Sequence, residues 1–267
     1  MAHSEVKAKK ALGQHFLTDL KIAEDITLAL EPHNTPNTLE IGPGMGVLTQ
    51  FLLNRKDLNV VAVDIDRESI DYLHRNYMPH ASKIVYGDFL KMNIDELFSG
   101  EAFNIIGNLP YNISSQIFFK VIENRDRVPQ VVSMIQKEVA ERIASKHGNK
   151  AYGILSVFLQ CYYDIEYLFT VHENVFNPPP KVKSAVIRLK RNSRTELPCN
   201  EKFFFTVVKT GFNQRRKTLR NSLKSLLPEG FDSPYMALRP EQLSVEDFIE
   251  LTCLLEKGKN SNIKASN

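Results

Sequence analysis

A chain of 267 residues, 43% hydrophobic and 24% charged, has the balance of an ordinary globular protein with room for one large domain and a small companion. It holds no apolar run near the ~20 residues of a membrane span. The lysines of MAHSEVKAKK precede no apolar leader segment, and three cysteines without C-x-x-C spacing fit neither a disulfide framework nor a zinc site.

The net charge of +3 is unevenly spread: residues 181–224 carry thirteen Lys/Arg against Glu196 and Glu201, a block of +11 that leaves −8 for the rest. A one-signed block on an otherwise acidic chain points to a polyanion partner. The seven histidines show no ligand spacing, so no metal is expected. A reducing, cytoplasmic setting without membrane attachment fits the cysteine usage.

Along the chain, a basic arm ending in Lys9-Lys10 leads through Gly13 to Phe16-Leu17. Asp19 is placed to cap a helix whose Ile22, Ile26 and Leu30 share one face, with Pro32 and Pro36 ending it. Thr38–Ile41 reads as a first strand, opening into Gly42-Pro43-Gly44-Met45-Gly46 and then a helix face of Val47, Leu48, Phe51 and Leu52. A strand, a glycine-rich turn and a helix form the first unit of a doubly wound α/β fold. Further strands are expected at 59–63, ending on Asp64-Ile65-Asp66, at 83–86, ending on Gly87-Asp88, at 103–106, and at 131–135. Glu40, Asp64, Asp88 and Asn108 would then line one rim of a parallel sheet.

Val47 stands where the third glycine of a dinucleotide fingerprint belongs. A carboxylate-rich rim also suits a phosphate-free, cationic nucleoside better than a pyrophosphate. S-adenosylmethionine is such a ligand. Asp64 can accept from its ribose hydroxyls and Asp88 from its adenine amine, and the glycines let the backbone approach it.

The fourth strand runs into Gly107-Asn108-Leu109-Pro110-Tyr111. Proline cannot donate to a ladder, so the sheet ends there and leaves an amide, free carbonyls and an aromatic face at a strand's carboxyl end. The exocyclic amine of adenine is a poor nucleophile, because its lone pair is delocalised into the ring. An asparagine oxygen and a backbone carbonyl can hold its two N–H groups and favour the pyramidal nitrogen of the transition state. Tyr111 can stack on the base. The competing account is a strand end with a proline turn and a core tyrosine.

Beyond residue 150, the stretches 164–171 and 184–190 alternate as strands, the last read as antiparallel. Between them Pro178-Pro179-Pro180 forms a stiff segment expected to project Phe176 over a bound base opposite Tyr111; the alternative is that Phe176 packs under the loop. From about residue 197 the pattern is helical, with stripes Phe204, Val207, Val208, Gly211 and Phe212, and Leu219, Leu223, Leu226 and Leu227. Arg216 and Arg220, read as one turn apart, would track a phosphate backbone. Ser244 and Asp247 form a capping box for a last helix through Phe248, Leu251 and Leu255. The expected division is a doubly wound, Rossmann-like domain at 1–193, a small α-helical RNA-binding domain at 197–258, and a disordered tail at 259–267.

KKALGQHFL, LEIGPGMGVLT, VDID, Gly87-Asp88, NLPYNISS, QKEVAERI, FNPPPKVKS and GFNQRRKTLRNSL occur in one order across residues 9–225. Together they resemble the small-subunit ribosomal RNA adenine dimethyltransferases, the bacterial kasugamycin-sensitivity enzymes. Relatives that methylate large-subunit RNA share the first half of these motifs and lack QRRKTLRNSL.

The resemblance implies S-adenosylmethionine as donor. As target it implies two adjacent adenosines in the 3′-terminal hairpin loop of small-subunit RNA, dimethylated within an immature small ribosomal subunit by a monomer. It adds His15 and Leu17 to the donor site, giving His15, Leu17, Gly42, Gly44, Asp64, Ile65, Asp88, Phe89 and Asn108. The catalytic candidates are Asn108, Leu109, Pro110, Tyr111 and Phe176, and the RNA-binding candidates Lys9, Lys10, Lys181, Arg215, Arg216, Lys217 and Arg220. Many members have Asn at position 15 and Glu at position 64, so the shorter Asp64 is the looser match.

Two rival readings remain. One is an RNA-binding assembly or transcription factor that kept a methyltransferase shell, as some mitochondrial relatives did. The short stretch before the first motif leaves little room for the transit peptide it would need. The other is a DNA adenine methylase, whose Asp/Asn-Pro-Pro-Tyr motif differs at Leu109.

Overall fold

The computed structural model describes residues 6–31 and 35–265, with side chains to residue 259. Pro32, expected to help end the first helix, lies outside the described residues. The chain separates into two compact units: Met1–Ala140 with Asp164–Arg191, and Glu141–Tyr163 with Asn192–Asn267.

The first unit alternates strand and helix. After β1 (Phe16–Leu17), α1 (Leu20–Leu28) starts where Asp19 Oδ1 accepts from the Ile22 amide at 3.0 Å, as its sequence position predicts. There follow β2 (Asn37–Ile41), α2 (Thr49–Asn54), β3 (Asn59–Asp64), α3 (Arg67–Asn76), β4 (Ile84–Tyr86), β5 (Asn104–Asn108), α4 (Ser114–Glu123) and β6 (Gln130–Gln136). Helix α5 (Lys137–Ala144) begins as the first unit ends; β7 (Tyr163–Val171), β8 (Phe176–Asn177) and β9 (Ser184–Arg191) follow later.

Seven strands form one sheet in the order β4-β3-β2-β5-β6-β9-β7. Strands β4, β3, β2, β5 and β6 are mutually parallel, while β9 runs antiparallel to β6, from Gln130 opposite Lys190 to Gln136 opposite Ser184. This is the doubly wound, mostly parallel sheet with an antiparallel late strand that the pattern predicts. Parallel strands joined through helices are buried on both faces, hence the continuous apolar runs of β5 and β6. Leu17, Ile26, Leu48, Ile106 and Val132 belong to one core cluster. A two-residue pairing, β1 with β8, gave no sequence signal of its own and ties the N-terminal arm to the proline segment.

The second unit is helical: α6 (Ile154–Tyr162), α7 (Glu201–Asn213), α8 (Leu219–Ser222) and α9 (Val245–Ala265). Two boundaries differ from expectation. Residues 141–163 group with the C-terminal helices and not with the Rossmann-like unit, since α6 is apolar and its Phe158 ring meets Phe205 edge-on at 4.5 Å and Phe204 at 6.1 Å. Helix α9 continues to Ala265, so residues 259–265, read as a disordered tail, extend the last helix; 266–267 lie outside the described residues. The capping box is as expected: the Ser244 amide donates to Asp247 Oδ2 at 2.8 Å, and the Asp247 amide to Ser244 Oγ at 3.1 Å.

Candidate active site

Parallel pairing brings the carboxyl ends of β2, β3, β4 and β5 to one rim, the edge where open α/β sheets bind ligands. A cavity of about 280 Å³ opens there. Its walls are the arm from Ala11 to Leu17, the glycine turn with Gly42 and Gly44, Glu40, Asp64, Ile65, Asp88, Leu90, and the segment Asn108–Ile113. Among the described residues no lysine or arginine lines it.

Gly44 sits at φ +56°, and a Cβ there would lie 2.9 Å from the Phe16 ring, so a side chain would collide with the arm. Its amide donates to Asp64 Oδ2 at 3.1 Å, and the Asp66 amide to Asp64 Oδ1 at 2.8 Å. The Asp64 carboxylate thereby keeps acceptor capacity for a ligand. Burial pushes the Asp64 carboxyl up, against the pull of these backbone donors.

Glu40 was not among the candidates carried to the donor site, although it stood on the predicted rim. It is buried with one bond from Thr49 Oγ1 at 2.7 Å, and burial raises its carboxyl to about 8. The exposed apolar Ile65 side chain follows Asp64 into the cavity.

At the end of β5, Gly107 passes Ile41 so closely that a Cβ would lie 2.4 Å from the Ile41 carbonyl oxygen. Only glycine lets the strand bring Asn108 to this point. Asn108 Nδ2 donates to the His15 carbonyl at 3.0 Å, which leaves Oδ1 as the open end of the amide, an acceptor. The Leu109 amide is tied to the Met134 carbonyl at 3.0 Å, and the Pro110 carbonyl accepts from Ile113 at 3.2 Å. Among the described residues the Leu109 carbonyl has no such partner, so it is the second acceptor.

Tyr111 is braced twice. Its hydroxyl lies 2.5 Å from Ser184 Oγ, and its ring stacks on His15 with centroids 5.4 Å apart and planes at 28°. Burial raises the phenol, partly offset by Ser184. His15 Nδ1 in turn lies 2.8 Å from the Pro178 carbonyl.

Several expectations are corrected. Phe176 does not line the cavity: it is 4% exposed and packs in the core with Leu17 and Leu48, where β8 pairs it opposite Leu17. The aromatic partner of Tyr111 is His15. Phe89 is buried beneath the Lys120 ammonium, 5.2 Å from its ring, and the next residue, Leu90, reaches the cavity instead.

Lys9, read as an RNA contact, pairs with Asp66 at 2.5 Å and Glu68 at 3.2 Å. Arg215 donates to the Lys150 and Tyr152 carbonyls at 2.5 and 3.3 Å, and Arg220 pairs with Asp232 at 2.6 Å. Arg216 lies in the turn between α7 and α8, where the Lys217 amide bonds back to the Gln214 carbonyl, so it does not share a helical face with Arg220. Lys10, Lys181, Arg216 and Lys217 are exposed.

Sequence reasoning missed Lys120. Its ammonium donates to the Phe89, Leu90 and Met92 carbonyls at 2.7, 3.1 and 2.6 Å, pinning the loop that carries Asp88. A mid-helix lysine carries no signal of this until the loop is folded over it. Among the described residues no group of three or more His, Cys, Asp or Glu side chains is placed to hold a metal ion, and no helix is long and apolar enough to cross a membrane.

Residues 5–257 match the family model described as ribosomal RNA adenine dimethylase. The chain belongs to that family. Within it, the "Ribosomal RNA small subunit methyltransferase A" of Parabacteroides distasonis is 59% identical over 258 residues, covering 94% of this chain and 95% of that one. The protein of the same description from Cytophaga hutchinsonii is 58% identical over 254 residues, covering 94% and 98%. Among solved structures, a dimethyladenosine transferase from Plasmodium falciparum aligns with TM-score 0.77 at 25% identity, over 92% of this chain and 98% of that one. The 23S rRNA methyltransferase ErmE aligns with TM-score 0.65 at 25% identity, over 89% and 99%. The dimethylase family thus accounts for the Rossmann-like sheet, the glycine turn and the Asn-Leu-Pro-Tyr rim together, and this chain is a methyltransferase.

Proposed function

We propose that this chain uses S-adenosylmethionine to dimethylate the 6-amino groups of two adjacent adenosines in the 3′-terminal hairpin loop of small-subunit ribosomal RNA. It acts as a cytoplasmic monomer on an immature small ribosomal subunit. The observation that carries this reading is the amide of Asn108, held by the His15 carbonyl so that its oxygen is the free end, beside Tyr111 in a cavity that no lysine or arginine among the described residues lines.

The donor set fits S-adenosylmethionine. Asp64 and Asp88 face a cavity that no lysine or arginine among the described residues lines, which suits a sulfonium and disfavours phosphates, and the glycine turn admits a nucleoside against the backbone. When bound, S-adenosylmethionine supplies a methyl group made electrophilic by positive sulfur. Asp64 would hold the ribose hydroxyls, Asp88 the adenine amine, and Ile65 the ring face.

The chain's own part is alignment. Asn108 Oδ1 and the Leu109 carbonyl accept the two N–H groups of the target amine and stabilise it as its lone pair turns out of the ring plane. Tyr111, fixed by Ser184 and His15, gives the unstacked base its aromatic wall. No side chain need act as a base, because the methylated ammonium is acidic enough to lose its proton to water. Most of the acceleration comes from proximity and orientation.

The test is incubation with labelled donor and small subunits lacking the modification, beside mature subunits and duplex DNA. Label in dimethyladenosine of the immature subunit's RNA alone is expected. Label in DNA, or none with donor demonstrably bound, would overturn the reading.

A further inference from the structure

The arm from Lys9 to Leu17, whose residues 11–17 form one wall of the cavity, is held at three places. At its far end, β1 pairs with β8. In the middle, the His15 carbonyl takes the Asn108 amide and the His15 ring lies on Tyr111. At its near end it is held chiefly by Asp66, whose Oδ1 is 2.5 Å from Lys9 Nζ and whose Oδ2 is 3.1 Å from Gln14 Nε2, with the exposed Glu68 carboxylate 3.2 Å from the same ammonium. Gln14 closes the loop by accepting from the Lys9 amide at 2.8 Å.

Asp66 also caps α3, accepting from the Glu68 amide at 3.1 Å and Ser69 Oγ at 3.3 Å. Its side chain is almost wholly buried. Burial alone would raise this carboxyl, but the bonds from Lys9, Gln14 and the Glu68 amide, with the Lys9 charge, together outweigh it and hold the group below its ordinary value. Asp66 makes none of the cavity wall itself.

We propose that Asp66 is a positioning residue for methyl transfer: by latching Lys9 and Gln14 it seats the arm whose His15 carbonyl orients the Asn108 amide. An amide without that bond rotates, and a flipped amide presents N–H groups to a target amine that needs an acceptor. The latch therefore acts on the chemical step as well as on the donor wall. It also assigns Lys9 to the arm and not to RNA. The inference rests on the function proposed above, and activity of the wild-type protein on immature subunits is its baseline; absence of that activity would sink that function and not the latch.

The experiment compares Asp66→Asn, Lys9→Met and the double variant. Asparagine keeps the helix cap and loses the charge that holds Lys9. Expected are a roughly tenfold fall in kcat in each single variant and no further fall in the double, since both remove the Lys9–Asp66 bond and the exposed Glu68 contact adds little. The KM for RNA should stay unchanged, and Lys9→Arg should retain activity.

Hydrogen exchange provides a readout without substrate. Amides of residues 12–14 should exchange faster in Asp66→Asn, while those at the start of α3 should not. Multiplicative effects in the double variant would overturn the latch. So would a rise in RNA KM confined to Lys9→Met, or faster exchange confined to α3.

Discussion

The strand-end rim and the basic block of residues 181–224 were equally conspicuous in the sequence, and the fold treats them differently. On the rim, Asp64, Asp88 and Asn108 stand where their pattern puts them, because a parallel ladder leaves each strand end only one side of the sheet. In the block, much of the excess charge is met internally. Arg188 pairs with Glu31 and Glu166, Lys190 reaches Glu31 at 2.8 Å, Arg194 reaches Glu246 at 2.5 Å, and Arg220 reaches Asp232. A run of one sign along the chain is not a field of one sign in space. Buried polar groups on the rim should therefore carry large effects and exposed cations in the block small ones.

The largest effect is expected at Glu40. Its carboxyl sits at about 8 in the folded chain against an ordinary 4.5, so the folded protein keeps a proton that the unfolded chain loses. The associated stability is complete below pH 4.5 and is lost as pH rises through 8, in all about 5 kcal/mol by linkage. Denaturant midpoints for Glu40→Gln should decline less over that window than those of the wild type. Parallel slopes would show that the rim carboxyl is not desolvated.

Next, Asn108→Ala should lower single-turnover methylation by roughly 10²–10³ with donor affinity little changed, about 3–4 kcal/mol on the barrier. Equal losses in donor binding and turnover would move Asn108 from the target amine to the donor.

Lys120→Met leaves three carbonyls without their donor and should cost about 1–3 kcal/mol in thermal or chemical denaturation, together with a raised donor KM through the Asp88 loop. A raised RNA KM with donor KM unchanged would refute the loop role.

The smallest effects belong to the block. Arg216→Ala and Lys217→Ala should each weaken RNA binding by about 1 kcal/mol and reduce the salt slope by roughly one. Arg220→Ala, already paired with Asp232, should alter the slope less. Equal slopes for all three would erase the contrast between paired and free cations.

Asp19, Gly44, Asp64, Asn108 and the Ser244–Asp247 box were legible because each acts within one element or at its end. Phe176 was not, since a two-residue pairing opposite Leu17 drew its ring into the core. Nor was the break at Gln214 that separates Arg216 from Arg220, where a local turn interrupts an otherwise helical run.

Local order along the chain thus determined the doubly wound sheet, its acidic rim and the Asn-Leu-Pro-Tyr corner, because periodicity, glycine and proline act between neighbours. Tertiary structure alone decided that His15 and not Phe176 meets Tyr111, that Lys120 holds the Asp88 loop, and that Lys9 answers Asp66. Those pairings join residues 28 to 96 positions apart, and no pattern in either partner specifies the other until the fold brings them into contact.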